Sequence, residues 1–223
     1  MTHEQIYEKF MIEYDKDNVT SSYPSLTRKE KATILDKAYL ALIAQKVTGN
    51  NVRRASLESD IKSVQDLQPL IKTNTISLSS ASSDIAENVV KGTLPITYLY
   101  FIQANVLYRD NKTAAVQLIK HESAEKFFIT EYNKPWIKIP VAFIQDNKIF
   151  VIYDKEKHPL GPVNMKYTCI TSPNKFVGDT DSTLFELSDS MAEELVSLAI
   201  TFALENVESQ RLNTKLNTRG LEA

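Results

Sequence analysis

Residues 134–154, Lys-Pro-Trp-Ile-Lys-Ile-Pro-Val-Ala-Phe-Ile-Gln-Asp-Asn-Lys-Ile-Phe-Val-Ile-Tyr-Asp, decide the fold. Two runs rich in Val, Ile, Phe and Tyr flank the polar pair Asp146-Asn147. Aromatic and β-branched side chains suit a pleated, half-buried surface, and Asp and Asn tolerate the positive backbone torsions of a tight hairpin turn. The stretch reads as a β-hairpin, with Trp136 ahead of it as a core anchor. Upstream, residues 93–108 are too rich in aromatic and β-branched residues, and too uninterrupted, for an exposed helix. They read as one long strand, largely buried on both faces in its centre. Arg109-Asp110-Asn111-Lys112 then turns the chain into a partner strand over residues 113–119. Both hairpins turn on Asp-Asn-Lys, a coincidence that turn chemistry alone explains without internal duplication. Residues 122–131 read as a short helix, and a strand from Met165 to Thr171 completes a sheet of at least five strands.

Helices flank this block. Ile6, Phe10 and Tyr14 recur every four residues and give residues 2–15 a narrow apolar stripe. Thr27-Arg-Lys-Glu30 is a capping box, in which a hydroxyl and a carboxylate satisfy free N–H groups at a helix start; the helix runs to about Thr48 and stops at Gly49. A second helix begins near Ser56 with Leu57, Ile61, Val64 and Leu67 on its apolar face, until Pro69 interrupts it. Ser190-Met-Ala-Glu193 reads as another capping box, opening a helix with Met191, Leu195, Leu198 and Phe202 on one face and Leu212 and Leu216 on a projecting tail. The expected class is α+β: a helical N-terminal arm (1–73), a Ser/Thr-rich linker (74–92), a mainly antiparallel sheet domain with two hairpins (93–175), and an acidic loop with a C-terminal helix (176–223).

Composition narrows the function classes. A chain of 223 residues with 43% apolar content can bury a substantial core. With 26 Lys and Arg against 28 Asp and Glu, the net charge of -2 gives no overall drive to wrap a polyanion. No apolar run is long enough to span a bilayer, and the polar start Met-Thr-His-Glu-Gln lacks the layout of a secretory signal, so the chain is expected to stay where it is made or to leave inside an assembly. The single cysteine, Cys169, falls on the apolar face of an alternating strand and reads as a buried small hydrophobe. Walker-type loops, His-Glu-x-x-His, Gly-x-Ser-x-Gly and Gly-rich dinucleotide patterns are all missing. Asp179-Thr-Asp181-Ser-Thr183 has Leu184 where a calcium loop needs glycine. The expectation is therefore no catalytic residue, cofactor or metal.

Charge is patterned locally. Between Arg28 and Arg54 stand seven basic residues (Arg28, Lys29, Lys31, Lys37, Lys46, Arg53, Arg54) and only Glu30 and Asp36 as acids, whereas residues 179–208 hold eight acids, Glu193 and Glu194 among them, and no base. Each reads first as a solvated helix face and second as a docking patch. Terminal helices with more apolar stripe than a small core needs fit a subunit buried in an assembly.

The order of elements carries a resemblance. The capped helix Thr27-Arg-Lys-Glu-Lys-Ala-Thr-Ile-Leu-Asp-Lys-Ala-Tyr, the Ser-Leu-Glu-Ser-Asp-Ile helix, the block around Pro135-Trp-Ile-Lys-Ile-Pro and the closing Met191-Ala-Glu-Glu-Leu-Val-Ser-Leu-Ala-Ile helix follow in turn. Together they resemble structural proteins of crAss-like tailed bacteriophages, in the style of the ring protein below the portal that acts as a head-to-tail adaptor. The resemblance implies a virion protein, made in the host bacterial cytoplasm, in a ring of about twelve copies. Its partners would be the portal protein and further tail or ring proteins, with DNA passing through the channel without specific contacts. It transfers no site residues. The candidate interface residues are Arg28, Lys29, Lys31, Lys37, Arg53, Arg54, Glu193, Glu194, Leu212 and Leu216, with basic helix and acidic segment meeting between neighbouring subunits. A tail hub or tail-fibre adaptor, a nucleic-acid-binding accessory protein using the Arg28–Arg54 patch, and an enzyme with converging carboxylates are the alternatives.

Overall fold

The computed structural model describes residues 1–17, 25–49, 57, 61–80, 88–95, 97–120, 123, 139–157, 159–178 and 182–206. The expected helix at 122–131, Trp136, and the tail with Leu212 and Leu216 fall outside them, apart from Ser123. The chain divides into two compact units, Met1–Leu70 with Pro173–Ala223, and Ile71–Ser172. This differs from the expected arm, linker and sheet domain. The chain leaves the helical unit at Leu70, builds the whole sheet, and returns at Pro173.

In the first unit, α1 (His3–Asp17) buries Ile6, Phe10 and Tyr14 as its spacing requires. The capping box at Thr27 forms as expected, with the Glu30 backbone N–H donating to the Thr27 hydroxyl and the Thr27 N–H to the Glu30 carboxylate, and it opens α2 (Arg28–Thr48). Gly49 ends α2 at φ 77, a left-handed torsion that glycine adopts without a Cβ clash. The next helix is α3 (Ile61–Leu67), and it buries only part of the expected apolar face. Leu57, Ser63 and Leu67 are buried while Ile61 and Val64 are exposed. A single 3-10 turn, Gln68–Leu70, absorbs Pro69. The last described helix, α4 (Asp189–Asn206), starts before Ser190. The Ala192 N–H donates to the Ser188 carbonyl, so the second capping box does not form and Glu193 is already inside the helix. Packed along both α1 and α2, α4 buries residues on nearly every side, Met191, Leu195, Val196 and Ile200 among them.

The second unit is one mixed, mostly antiparallel sheet of eight strands in the order β1-β8-β4-β5-β6-β7-β3-β2. The strands are β1 (Ile71–Ser77), β2 (Ser79–Ser80), β3 (Val89–Thr93), β4 (Tyr98–Tyr108), β5 (Thr113–Leu118), β6 (Val141–Gln145), β7 (Lys148–Ile152) and β8 (Pro162–Thr171). Four of them replace or revise expectations. The supposed linker supplies β1, β2 and β3, and the supposed single strand 93–108 breaks after Thr93, because Leu94 and Pro95 lie between β3 and β4. The β4 strand is also not buried on both faces. It runs half-buried to Ile102 and then alternates, with Gln103 and Asn105 out and Ala104, Val106 and Tyr108 in.

Both expected hairpins form, with different turns. Asp146 and Asn147 both have positive φ, 50 and 56, as a two-residue type I′ turn between β6 and β7 demands. Between β4 and β5 only Asn111 is left-handed, at φ 59, and the Tyr108 N–H returns to the Lys112 carbonyl, the pattern of a longer turn with a bulge. The two turns share three residues and no geometry, which speaks against duplication.

Strands β1 and β2 stand at opposite edges of the sheet yet are separated only by Leu78. One segment therefore hydrogen-bonds both edges, and the sheet curls until it closes on itself. Gly92 of β3 marks the seam, where a Cβ would lie 2.7 Å from Ile76 Cδ1 and 2.9 Å from Leu78 Cδ2. The enclosed core contains Val106, Ile149, Val151, Met165, Tyr167 and Cys169. The opposite face differs between halves. On β3, β6 and β7 it is apolar and buried, with the rings of Phe143 and Phe150 stacked 5.1 Å apart beside Ile152.

Candidate interaction surface

The cations of helix α2 were read first as a solvated face and second as a docking patch, and the structure uses most of the described ones within the chain. Arg28 forms a two-pronged ion pair with Glu4, Nη1 to Oε1 at 3.1 Å, and its guanidinium lies 4.5 Å from the centre of the Tyr7 ring. The Lys37 ammonium lies 4.7 Å from the centre of the Phe202 ring on α4. Lys46 reaches Asp66 of α3 at 3.1 Å and Glu194 of α4 at 3.0 Å. Burial opposes the Lys46 charge, but its hydrogen bonds to Glu194 and Asp66 outweigh burial and raise its pKa. Glu193 ion-pairs with Lys9 of α1. Within the chain, the basic helix and the acidic segment meet at Lys46 and Glu194. Because α2 and α4 pack against each other, the charges on their flanks find partners in the same unit. Lys29 lies exposed beside Gly178, where a Cβ would approach its Cγ to 2.9 Å, and Lys31 is half-buried. Arg53, Arg54, Leu212 and Leu216 lie outside the described residues.

Around α1 and α2 the loop 173–187 closes an aromatic cluster. His3 stacks on Phe176 at 4.3 Å, Tyr7 meets Phe176 edge-on, and Tyr39 meets Phe185 at 5.1 Å. Asp36 holds this loop by accepting the Phe176 N–H at 2.8 Å; burial raises its pKa, an effect that the same hydrogen bond reduces. The Tyr39 hydroxyl is buried with no hydrogen-bond partner among the described residues. These groups secure the loop on the helices. Among the described residues no group of three or more His, Cys, Asp and Glu could hold a metal ion, and no helix is long and apolar enough to cross a membrane.

The surface that sequence reasoning missed is the outer face of β1, β8, β4 and β5. The register places Thr75 beside Lys166 and Asn105, with Ala115 next, and Thr73 beside Thr168 and Gln103. The hydroxyls of Thr73 and Thr168 lie 3.1 Å apart. A further row joins Ser77, Asn164, Leu107 and Thr113. Across these rows stand hydroxyls, amides and one cation, and no carboxylate. The signal was present in the alternation Thr73, Thr75, Ser77, but a Ser/Thr-rich run reads equally as a linker when its strand partners are distant in sequence.

Fold and surface together define an α+β protein with a mixed sheet that closes on its own edges and a helical unit made from both ends of the chain. A scan against protein-family models finds no match, and a comparison with curated proteins finds none either.

Proposed function

We propose that the chain is a structural virion protein of a crAss-like tailed bacteriophage, forming a ring below the portal that joins capsid to tail and surrounds the DNA channel. The order of helices and sheet, from Thr27 to the α4 helix, is what resembles such connector proteins. The observation that best supports an assembling subunit is on α3. Ile61 is 79% and Val64 40% exposed, three residues apart on a helix that buries Ser63 and Leu67 elsewhere. A short helix gains little from such exposure in an isolated subunit, whereas a neighbouring chain would bury it. In a ring each subunit presents one surface to the neighbour ahead and another to the neighbour behind, and closure comes from the rotation between them.

The test is native mass of the purified protein, alone and mixed with its portal partner, followed by imaging of any large species. Closed rings of about twelve subunits are expected, and Ile61→Asp with Val64→Asp should abolish them while leaving a folded subunit. A monomer that ignores the portal sinks the connector reading. Lys31 is a cleaner charge probe than Lys37, which is committed to Phe202. The alternative role of tail hub or tail-fibre adaptor predicts smaller rings or rings that form without the portal.

A further inference from the structure

We infer that the outer face of β1, β8, β4 and β5 is a non-specific contact surface for duplex DNA, and that this face, rather than helix α2, turns toward the DNA channel of the proposed ring. The inference rests on the connector reading for its setting but stands on separate observations. First, the two units carry opposite charge. Residues 71–172 contain twelve Lys and Arg against nine Asp and Glu, while the helical unit contains fourteen against nineteen. A chain of net charge -2 therefore keeps its positive excess in the sheet unit.

Second, the described rows of this face hold no carboxylate. Lys166 stands exposed at its centre, flanked in register by Thr75 and Asn105. Arg109 and Lys112 are exposed at the β4–β5 turn, where Asp110 pairs with Lys112. Third, apart from the Ala115 methyl, the remaining exposed groups in these rows are hydroxyls and amides. Phosphate oxygens are bound by cations and by Ser, Thr, Asn and Gln side chains alike, and such contacts carry no sequence information. A wall of neutral donors with few cations would hold passing DNA weakly, as a channel through which it must slide requires. Helix α2 is the poorer candidate because Arg28, Lys37 and Lys46 are already engaged within their own unit.

The test is binding of the purified full chain to short duplex DNA, followed by fluorescence anisotropy across salt concentrations. Weak binding that falls steeply with salt is expected, weakened about five- to tenfold by Lys166→Glu at low salt, with a salt slope smaller by about one to two. Asn105→Asp should act in the same direction, and Lys31→Glu on α2 should leave binding unchanged. All three positions reach solvent, so these variants should fold, which circular dichroism would check. Binding that survives both sheet variants, binding lost in Lys31→Glu, or absence of salt-dependent binding each overturns the inference. Native mass on the same samples separates the two proposals. Rings that do not bind DNA remove this inference alone, and monomers that bind through Lys166 remove the ring alone.

Discussion

Asp36 shows how much one side chain can hold. Its carboxylate accepts the Phe176 N–H, fixing a loop from the far end of the chain, while burial raises its pKa. A raised carboxyl pKa means that the folded state binds its proton more readily than the unfolded state, so this group favours folding increasingly as pH falls through the folded pKa. Asp36→Asn keeps an acceptor and removes the buried charge. It should melt at or above the wild-type temperature at neutral pH, with the difference shrinking in acid. Asp36→Ala leaves the Phe176 N–H without its acceptor and should cost about 1–2 kcal/mol. Lys46 is the stronger case, with side chains of 13% exposure for itself and 10% for Asp66. Lys46→Met strands two carboxylates near each other and should cost about 3 kcal/mol in urea unfolding; a loss under half of that would mean that the pairs add little. The raised Lys46 pKa places the pH effect at the alkaline end. Its contribution is complete below the pKa of an unfolded lysine and is lost as pH rises through the folded value. Cys169 was legible from alternation alone and is fully buried, its thiol pKa raised by burial. The partners of Arg28 and Glu193 were not legible, because a charge count reports how many ions a helix carries and not which neighbour turns toward them.

Elements that are fixed by local chemistry could be read directly. The Thr27 capping box, the Gly49 stop and the Asp146-Asn147 turn each need particular residues at particular torsions, and each formed as expected. Elements that are fixed by distant partners could not. Strand β1 looked like a linker because its partner β8 begins only at Pro162 and because five of its seven residues are exposed. The apolar face read for helix α3 held in part: Leu57 and Leu67 are buried as expected, whereas Ile61 and Val64 are exposed, because spacing shows which residues share a face and not which of them a neighbour covers. The seam of the sheet offers a sharp test at element scale. At Gly92 a new methyl would meet the ends of Ile76 and Leu78, which can shift a little, so Gly92→Ala should cost about 1 kcal/mol and Gly92→Val about 2–3 kcal/mol. Equal stability for both variants would mean that the seam is loose.

At the scale of the molecule, the class was legible and the division was not. Amphipathic helices around a block of strands announced α+β, but nothing local in residues 173–206 says that they rejoin the N-terminal helices rather than extend the sheet domain. The same division separates charge, with the acidic excess in the helical unit and the basic excess in the sheet unit. The closing segment Ile71–Ser80 has a further consequence for how the protein is made. During synthesis β1 emerges long before β8, and α1 and α2 emerge long before α4. The sheet unit is therefore finished only when β8 has emerged and the helical unit only when α4 has, and until then the nascent chain displays an open strand edge and uncovered helix faces. Chains stalled or cleaved near Ser172 would lack α4 and leave α1 and α2 uncovered, so chaperones and proteases would act on them and only completed copies would persist.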